Sequence, residues 1–161
     1  MAAFVIDSEL FRDQYGTEAM RKVFSDEQLM QKWLDCWKAL AQAEADVGIV
    51  PRSAAEHIAQ CAKSANMNMQ AVREGFAKTC HPLMPQIREF ERVCGEKAGA
   101  WIHWGATTQD IMDTAVVLQL KDTRVTSKIS NEILDEVLEP INYTGSCEAM
   151  VEKVVAKLKD I

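Results

Sequence analysis

The sequence predicts an all-α protein with one core, on three observations. Apolar residues recur at helical spacing along most of the chain. No segment reads clearly as a strand, with alternating apolar and polar residues between turn residues. With 161 residues, of which 48% are hydrophobic, the chain can bury one core and has little material for a second independent one. A single compact helical domain is therefore expected.

The first two predicted helices lie between residues 25 and 62. Ser25 with Gln28 three residues later forms the pattern of a capping box. Apolar residues follow on one helical face until Gly48 and Pro51, which end the helix. Ser53 is placed to cap the second helix. These signals predict one long amphipathic helix followed by a shorter one.

Three more helices are predicted before residue 122, and two short ones after it. The third runs from Met69 to Phe76. A fourth starts at Pro82, because proline suits a first turn, and ends near Gly95 or Gly99. The fifth covers residues 108 to 120. Residues 121 to 128 could be a loop or an extension of that helix, and the tail predicts two helices joined by a turn through residues 140 to 145.

The stretch WIHWGATTQDIMDTA, residues 101 to 115, carries the densest polar chemistry. Gly105 precedes two threonines, Thr107 and Thr108, at the entry to a predicted helix. Free N–H groups, hydroxyl donors and the helix dipole at such an entry attract an anion. The alternative is an ordinary N-cap, in which Thr107 or Thr108 closes the first turn. Spacing alone favours the N-cap interpretation.

Composition excludes several classes of protein. A formal charge of −6, with basic residues spread among acids, argues against nucleic acid as a partner. No window approaches the roughly 18 to 20 apolar residues of a membrane span, and the N-terminus lacks the pattern of a signal peptide. Five cysteines without a CxxC pair or a His-spaced pattern suit reduced thiols. The sequence therefore predicts a cytoplasmic protein with no membrane partner, no metal and no cofactor.

Residues 101–115 resemble the first signature region of the fumarase/aspartase superfamily, and most closely that of the adenylosuccinate lyase and 3-carboxy-cis,cis-muconate cycloisomerase families. Three further segments agree. Residues 24–51 resemble the first long helix of the superfamily, and residues 79–90 resemble a segment that carries an active-site histidine in adenylosuccinate lyases. Residues 132–155 resemble the extreme C-terminal segment of the same enzymes. The resemblance covers almost the whole chain but only the two ends of the family architecture.

The resemblance implies a helical N-terminal lyase domain, residues 1–122, with a C-terminal lyase segment of short helices, residues 123–161, packed on it. The central helical bundle of the family would be missing. The parent activity would be β-elimination of fumarate from a succinyl adduct by a C–N lyase, or a related carboxymuconate cycloisomerisation. The sequence has no Gly-Ser-Ser-like loop and no His-x-His segment, which supply catalytic groups in the family. A truncated or internally deleted lyase, inactive alone, is therefore expected; the alternative is a non-catalytic helical binding or assembly module.

The resemblance also implies roles for individual residues. Thr107 and Thr108 would hold a substrate carboxylate, with Gln109 and Asp110 shaping the same binding loop. The catalytic candidates are two histidines that would face one pocket, His103 and His81. For His81 the residues alone favour another role, that of a helix-start residue hydrogen-bonded to the backbone.

The last implied contact and the implied assembly concern the whole enzyme. Tyr15 matches a tyrosine that faces the nucleotide phosphate in adenylosuccinate lyases, but Gln14 stands where the family has arginine. The resemblance implies a homo-oligomer, since family enzymes are homotetramers, and a carboxylate-rich small molecule as the other partner. Apolar surface that would meet the missing bundle also favours self-association.

Overall fold

A computed structural model of the chain describes residues 4–123 and residue 133. The chain divides into two units, residues 1–123 and 124–161. Residues 4–123 all belong to the first unit. The two predicted tail helices and residues 124–128 of the predicted junction lie outside the described residues.

The described residues form helices and no strand, which confirms the all-α prediction. Two short helices come first, α1 (Arg12–Tyr15) and α2 (Glu18–Val23). The five main helices are α3 (Asp26–Asp46), α4 (Arg52–Cys61), α5 (Met69–Thr79), α6 (Met84–Gly99) and α7 (Thr108–Lys121). Two 3₁₀ turns, Val5–Asp7 and Ser64–Asn66, complete the described part.

The long helix α3 is the centre of the unit and packs against both α4 and α7. Ser25 caps it as predicted, and its hydroxyl accepts the N–H of Gln28 at 3.3 Å. The N–H of Ser25 donates to the carbonyl of Lys22 instead, so the reciprocal half of the predicted capping box is replaced by a turn. The helix ends at Asp46, two residues before Gly48, whose φ of 80° is the left-handed turn expected there.

Two predicted helix starts are displaced. Helix α4 begins at Arg52, because the carbonyl of Pro51 accepts the N–H groups of Ala54 and Ala55, and Ser53 lies inside the first turn rather than at the cap. Helix α6 begins at Met84 rather than Pro82, with Pro85 in its first turn. The helix was predicted to end near Gly95 or Gly99, and both glycines have a role. Gly95 interrupts the helical backbone with a φ of 71°, and Gly99 is the last residue of the helix.

The core lies between α3, α4 and α6. Trp37 stacks on Phe90 with ring centroids 5.7 Å apart, and both side chains are almost fully buried. Leu34, Ile58 and Leu83 have no exposed surface. Each such side chain contributes roughly 1.5–3 kcal/mol on burial. This packing fixes α3 as the platform on which the residues before α7 are held.

Candidate functional site

The site begins at the N-terminus of α7, where Thr107 is the N-cap. Its hydroxyl accepts the N–H of Asp110 at 3.3 Å and donates to the Asp110 carboxylate at 2.8 Å, and that carboxylate accepts the N–H of Thr107 at 2.8 Å. A capping box is complete. These hydrogen bonds, first from the Thr107 N–H and then from its hydroxyl, lower the pKa of Asp110. The N-cap interpretation is therefore confirmed for Thr107, whose hydroxyl is already occupied.

The groups left for a ligand belong to the next two residues. The N–H groups of Thr108 and Gln109 have no hydrogen-bond partner within residues 4–123, as expected for the first positions of a helix. Thr108 is half-buried, and its hydroxyl is likewise unpaired in that part of the chain. The Gln109 amide is turned away, donating to Asp113 at 2.6 Å. Two N–H groups and one hydroxyl thus remain for an anion beside the ionised Asp110.

His103 precedes this helix and is held against α3. Its Nδ1 accepts the indole N–H of Trp37 at 3.2 Å, with the two rings edge-on. Burial lowers the pKa of His103, and the nearby Asp110 opposes that shift only in part. A neutral imidazole that accepts at Nδ1 carries its proton on Nε2. In this tautomer His103 is a hydrogen-bond donor, and its free nitrogen cannot act as a base.

A groove of about 440 Å³ runs beneath the turn at Gly105. Glu44 of α3 lies in its wall with one carboxylate oxygen, Oε2, buried and without a hydrogen bond in the described structure. Burial raises the pKa of Glu44. A Cβ on Gly105 would lie 3.6 Å from the other oxygen of Glu44, and the φ of Gly105 is 69°. Asp110 and Trp104 line the same groove.

Sequence reasoning missed Trp37 and Glu44 as residues of this region. Trp37 looked like a core aromatic, which it also is. Glu44 had a readable signal, since it is a carboxylate on the apolar stripe of α3. Neither pattern could indicate which loop the side chain meets, because α7 starts more than 60 residues later in the chain.

His81 lies elsewhere, between α5 and α6. Its Nδ1 accepts the N–H groups of Leu83 and Met84, each at 3.2 Å, so it caps the start of α6 as the residue-based alternative proposed. Among the described residues, no hydrogen bond or ion pair joins His81 to His103 or to Thr108. The structure therefore gathers His103, Thr107, Thr108, Gln109 and Asp110 at one helix entry and leaves His81 without a direct link to them.

Tyr15 is exposed on α1. The nearby guanidinium of Arg21 is already engaged: it donates to the carbonyls of Arg12 and Gly16 and to the carboxylate of Asp13 at 2.6 Å. In the part of the chain that the structure describes, no group of three His, Cys, Asp or Glu residues suits a metal ion. No helix there is long and apolar enough to cross a membrane.

Comparison with known proteins gives a consistent result. A family model described as lyase matches residues 12–139. The chain is 43% identical over 122 residues to an N-acetyl-S-(2-succino)cysteine lyase of Enterococcus italicus, covering 76% of this chain and 27% of the relative. It is 38% identical over 128 residues to an adenylosuccinate lyase of Methanocaldococcus jannaschii, covering 80% and 26%. The chain thus spans about a quarter of the length of the curated relatives it matches.

Solved structures agree with the sequence relatives. A β-carboxy-cis,cis-muconate cycloisomerase from Acinetobacter calcoaceticus superposes with a TM-score of 0.66 at 32% identity, over 71% of this chain and 28% of that one. The fold and the sequence therefore point to the same group of enzymes.

Proposed function

This chain belongs to the lyase family of the fumarase/aspartase superfamily, and we propose that it carries the carboxylate-binding part of a lyase site. By itself it lacks the groups that would complete the reaction. The parent reaction is elimination of fumarate from a succinyl adduct or a related carboxymuconate cycloisomerisation. The observation that carries the proposal is the pair of N–H groups at Thr108 and Gln109, which with the hydroxyl of Thr108 have no hydrogen-bond partner within residues 4–123.

Three functions are needed for such an elimination: a base for the carbon-bound proton, an acid for the leaving atom and donors for the substrate carboxylates. Thr108 and Gln109 supply the donors, and the dipole of the 14-residue helix adds to the attraction. His103, with its proton on Nε2, supplies a fourth donor or the acid. Asp110 limits the affinity, because its negative charge faces the same helix entry.

Of the three catalytic functions, only the base has no residue assigned to it. His103 gives its Nδ1 to Trp37, and His81 gives its Nδ1 to the backbone of α6. The sequence has no Gly-Ser-Ser-like loop and no His-x-His segment to replace them. We therefore expect a truncated or internally deleted lyase that binds a dicarboxylate and does not turn it over.

The free thiols at Cys36, Cys61, Cys80 and Cys94 suit a reducing compartment, which supports the cytoplasm as the location. A contact of Tyr15 with the leaving group follows only from its exposure on α1 and from the family pattern. The arrangement of residues 123–161 as a segment packed on the first unit stays a prediction, as does assembly into a homo-oligomer.

Fumarate binding and fumarate release test the proposal separately. In a titration of isotope-labelled protein, fumarate should shift the amide signals of Thr108 and Gln109. Thr108→Ala should weaken binding about tenfold or more, since a hydrogen bond to a charged group contributes roughly 1.5–3 kcal/mol. The matched variant Thr108→Ser keeps the hydroxyl and should bind within about twofold of the unchanged chain.

Turnover is followed spectroscopically across adenylosuccinate and other succinyl adducts, and we expect no fumarate release. Turnover that disappears in His103→Ala would show that a base is present and that the proposal of an incomplete site is wrong. Fumarate that leaves the amides of Thr108 and Gln109 unmoved would contradict the carboxylate site itself.

A further inference from the structure

One imidazole and two thiols meet beside a second cavity, which the proposed function does not use. His57 and Cys61 stand four residues apart on α4, and the Nε2 of His57 lies 3.6 Å from the Sγ of Cys61. Cys94 of α6 is buried next to Cys61. His57 and Cys94 line a cavity of about 580 Å³, a volume within the range of small-molecule sites.

We propose that Cys61 is a thiol-exchange site for low-molecular-weight disulfides, with His57 as its base and Cys94 as the resolving thiol. The site rests on geometry: the Cys61 thiol lies within reach of an imidazole base, and Cys94, which lines the cavity where Cys61 does not, lies next to it. This arrangement is the general requirement for an activated thiol that can be oxidised reversibly.

The position of His57 suits the role of base. It is exposed, so water can exchange its proton, and its Nε2 faces the sulfur. In the tautomer with the proton on Nδ1, Nε2 accepts the S–H proton and leaves a thiolate at Cys61. The backbone of Cys61 is fixed meanwhile, because its carbonyl accepts bonds from Lys63 and from the Asn66 side chain. The side chain alone has to turn toward an incoming disulfide.

Cys94 is suited to react second. Burial, with a smaller contribution from the neighbouring Cys61 thiol, raises the pKa of Cys94 to about 12. At neutral pH its thiol is therefore the weaker nucleophile of the two, so Cys61 reacts first and Cys94 reacts only with an electrophilic sulfur held next to it. Gly95 follows at once with φ 71° and open space around its Cα, so the backbone beside Cys94 is not confined by packing.

The cavity favours an anionic disulfide. Lys97 and Trp101 lie in its wall together with Pro51 and Ala54, giving a cation beside apolar surface. A disulfide that carries carboxylates, such as oxidised glutathione, matches this lining. Glu96 at the same wall opposes very acidic ligands and favours one that also carries an amine.

The exchange balances without any other reactant. Cys61 thiolate attacks one sulfur of the small disulfide, the old S–S bond breaks, and one small thiol leaves with the proton taken up by His57. The thiol of Cys94 then passes its proton to His57 and attacks the sulfur of Cys61. The mixed disulfide bond breaks, the Cys61–Cys94 disulfide forms, and the second small thiol leaves with the proton from His57. The two cysteines are oxidised by two electrons, and the small disulfide is reduced to two thiols.

Oxidised glutathione is the probe for the test, with tryptic peptides read by mass spectrometry. Cys61 lies in the peptide of residues 53–63 and Cys94 in that of residues 93–97, so a disulfide between them gives one linked species. The unchanged chain should yield this species. Cys94→Ala should stop at the mixed disulfide with glutathione on Cys61, and His57→Gln should slow the reaction of Cys61 by about tenfold or more.

Two other cysteines serve as internal controls. Cys80 is exposed and Cys36 is buried, and within the described residues no hydrogen bond joins either thiol to an imidazole. His81 follows Cys80 in the chain, but its Nδ1 accepts the N–H groups of Leu83 and Met84. Cys61 should react faster than Cys80, and Cys36 should not react. His57 is exposed, so its replacement should leave the helical circular dichroism unchanged. Equal rates at Cys61 and Cys80, or a mixed disulfide that persists in the unchanged chain, would overturn the proposal.

Discussion

His103 has a strained backbone conformation and a hydrogen bond from Trp37 that offsets part of the strain. Its φ of 62° lies in the left-handed region, which costs a residue with a Cβ roughly 1–2 kcal/mol. The bond from the Trp37 indole to its Nδ1 offsets part of that cost and also fixes which nitrogen carries the proton. The strained backbone is thus the condition for aiming a neutral imidazole at the entry of α7.

The lowered pKa of His103 predicts how stability depends on pH. The ordinary value is 6.5 and burial holds the folded value below it, so the unfolded chain binds more protons between the two. The stability from neutral His103 is therefore complete above pH 6.5 and is lost as the pH falls through the lowered folded value. Urea unfolding between about pH 7.5 and pH 5.5 should show this loss.

His103→Asn is the matched variant, because asparagine tolerates the left-handed region and does not titrate. It should show a smaller loss of stability over the same pH interval. Parallel curves for the two proteins would contradict a buried neutral His103.

At this scale the sequence predicted what is local and missed what is distant. The Thr107 cap involves residues three apart, and its pattern was readable. The partner of His103 lies 66 positions away, and the periodicity of α3 could only assign Trp37 to a buried face. Packing of helices, which no local pattern contains, brings the two together.

At the scale of elements, Glu89 joins α6 to the start of α5. It is 5% exposed, and its carboxylate accepts the N–H of Asn68 at 2.8 Å and two bonds from Arg92 at 2.9 and 2.7 Å. The hydrogen bonds from Arg92, above all, lower the pKa of Glu89. Its stabilising effect is therefore present above the ordinary value of 4.5 and lost as the pH falls through the lowered one.

Glu89→Gln should lower the free energy of unfolding by about 2 kcal/mol, because the neutral amide has one acceptor oxygen in place of two and no charge to pair with Arg92. Glu91→Gln, at an exposed position on the same helix, should change it by less than about 0.5 kcal/mol. Chemical denaturation at neutral pH measures both. Equal effects of the two substitutions would show that the Glu89 contacts do not hold α5 to α6.

The helices themselves were predictable, and their starts were less so. Gly48 and Thr107 mark boundaries by backbone and side-chain chemistry that belongs to one residue. The helix starts predicted from Ser53 and Pro82 were displaced. A helix begins where a carbonyl first accepts helical N–H groups, and those carbonyls belong to Pro51 and Leu83. Sequence composition does not distinguish a good cap from a good first-turn residue.

At the scale of the molecule, the chain has the fold of about a quarter of each relative, and its surface reflects this. Met112, Val116 and Leu120 lie four residues apart on α7, and the last two are 45% and 49% exposed. Such a stripe favours contact with another protein surface. We propose a second copy of this chain as that partner.

We therefore expect self-association in sedimentation velocity. Val116→Glu with Leu120→Glu should shift the distribution toward the monomer, because two charges would have to be desolvated in the contact. Glu91→Lys, which changes an exposed charge on α6, serves as the control and should leave the distribution unchanged. A dilute monomer that binds no apolar dye would contradict the prediction.

The proposed fumarate binding at Thr108 needs only groups at one helix entry. It should therefore survive in the monomeric variant, which would show that the local site does not depend on the assembly.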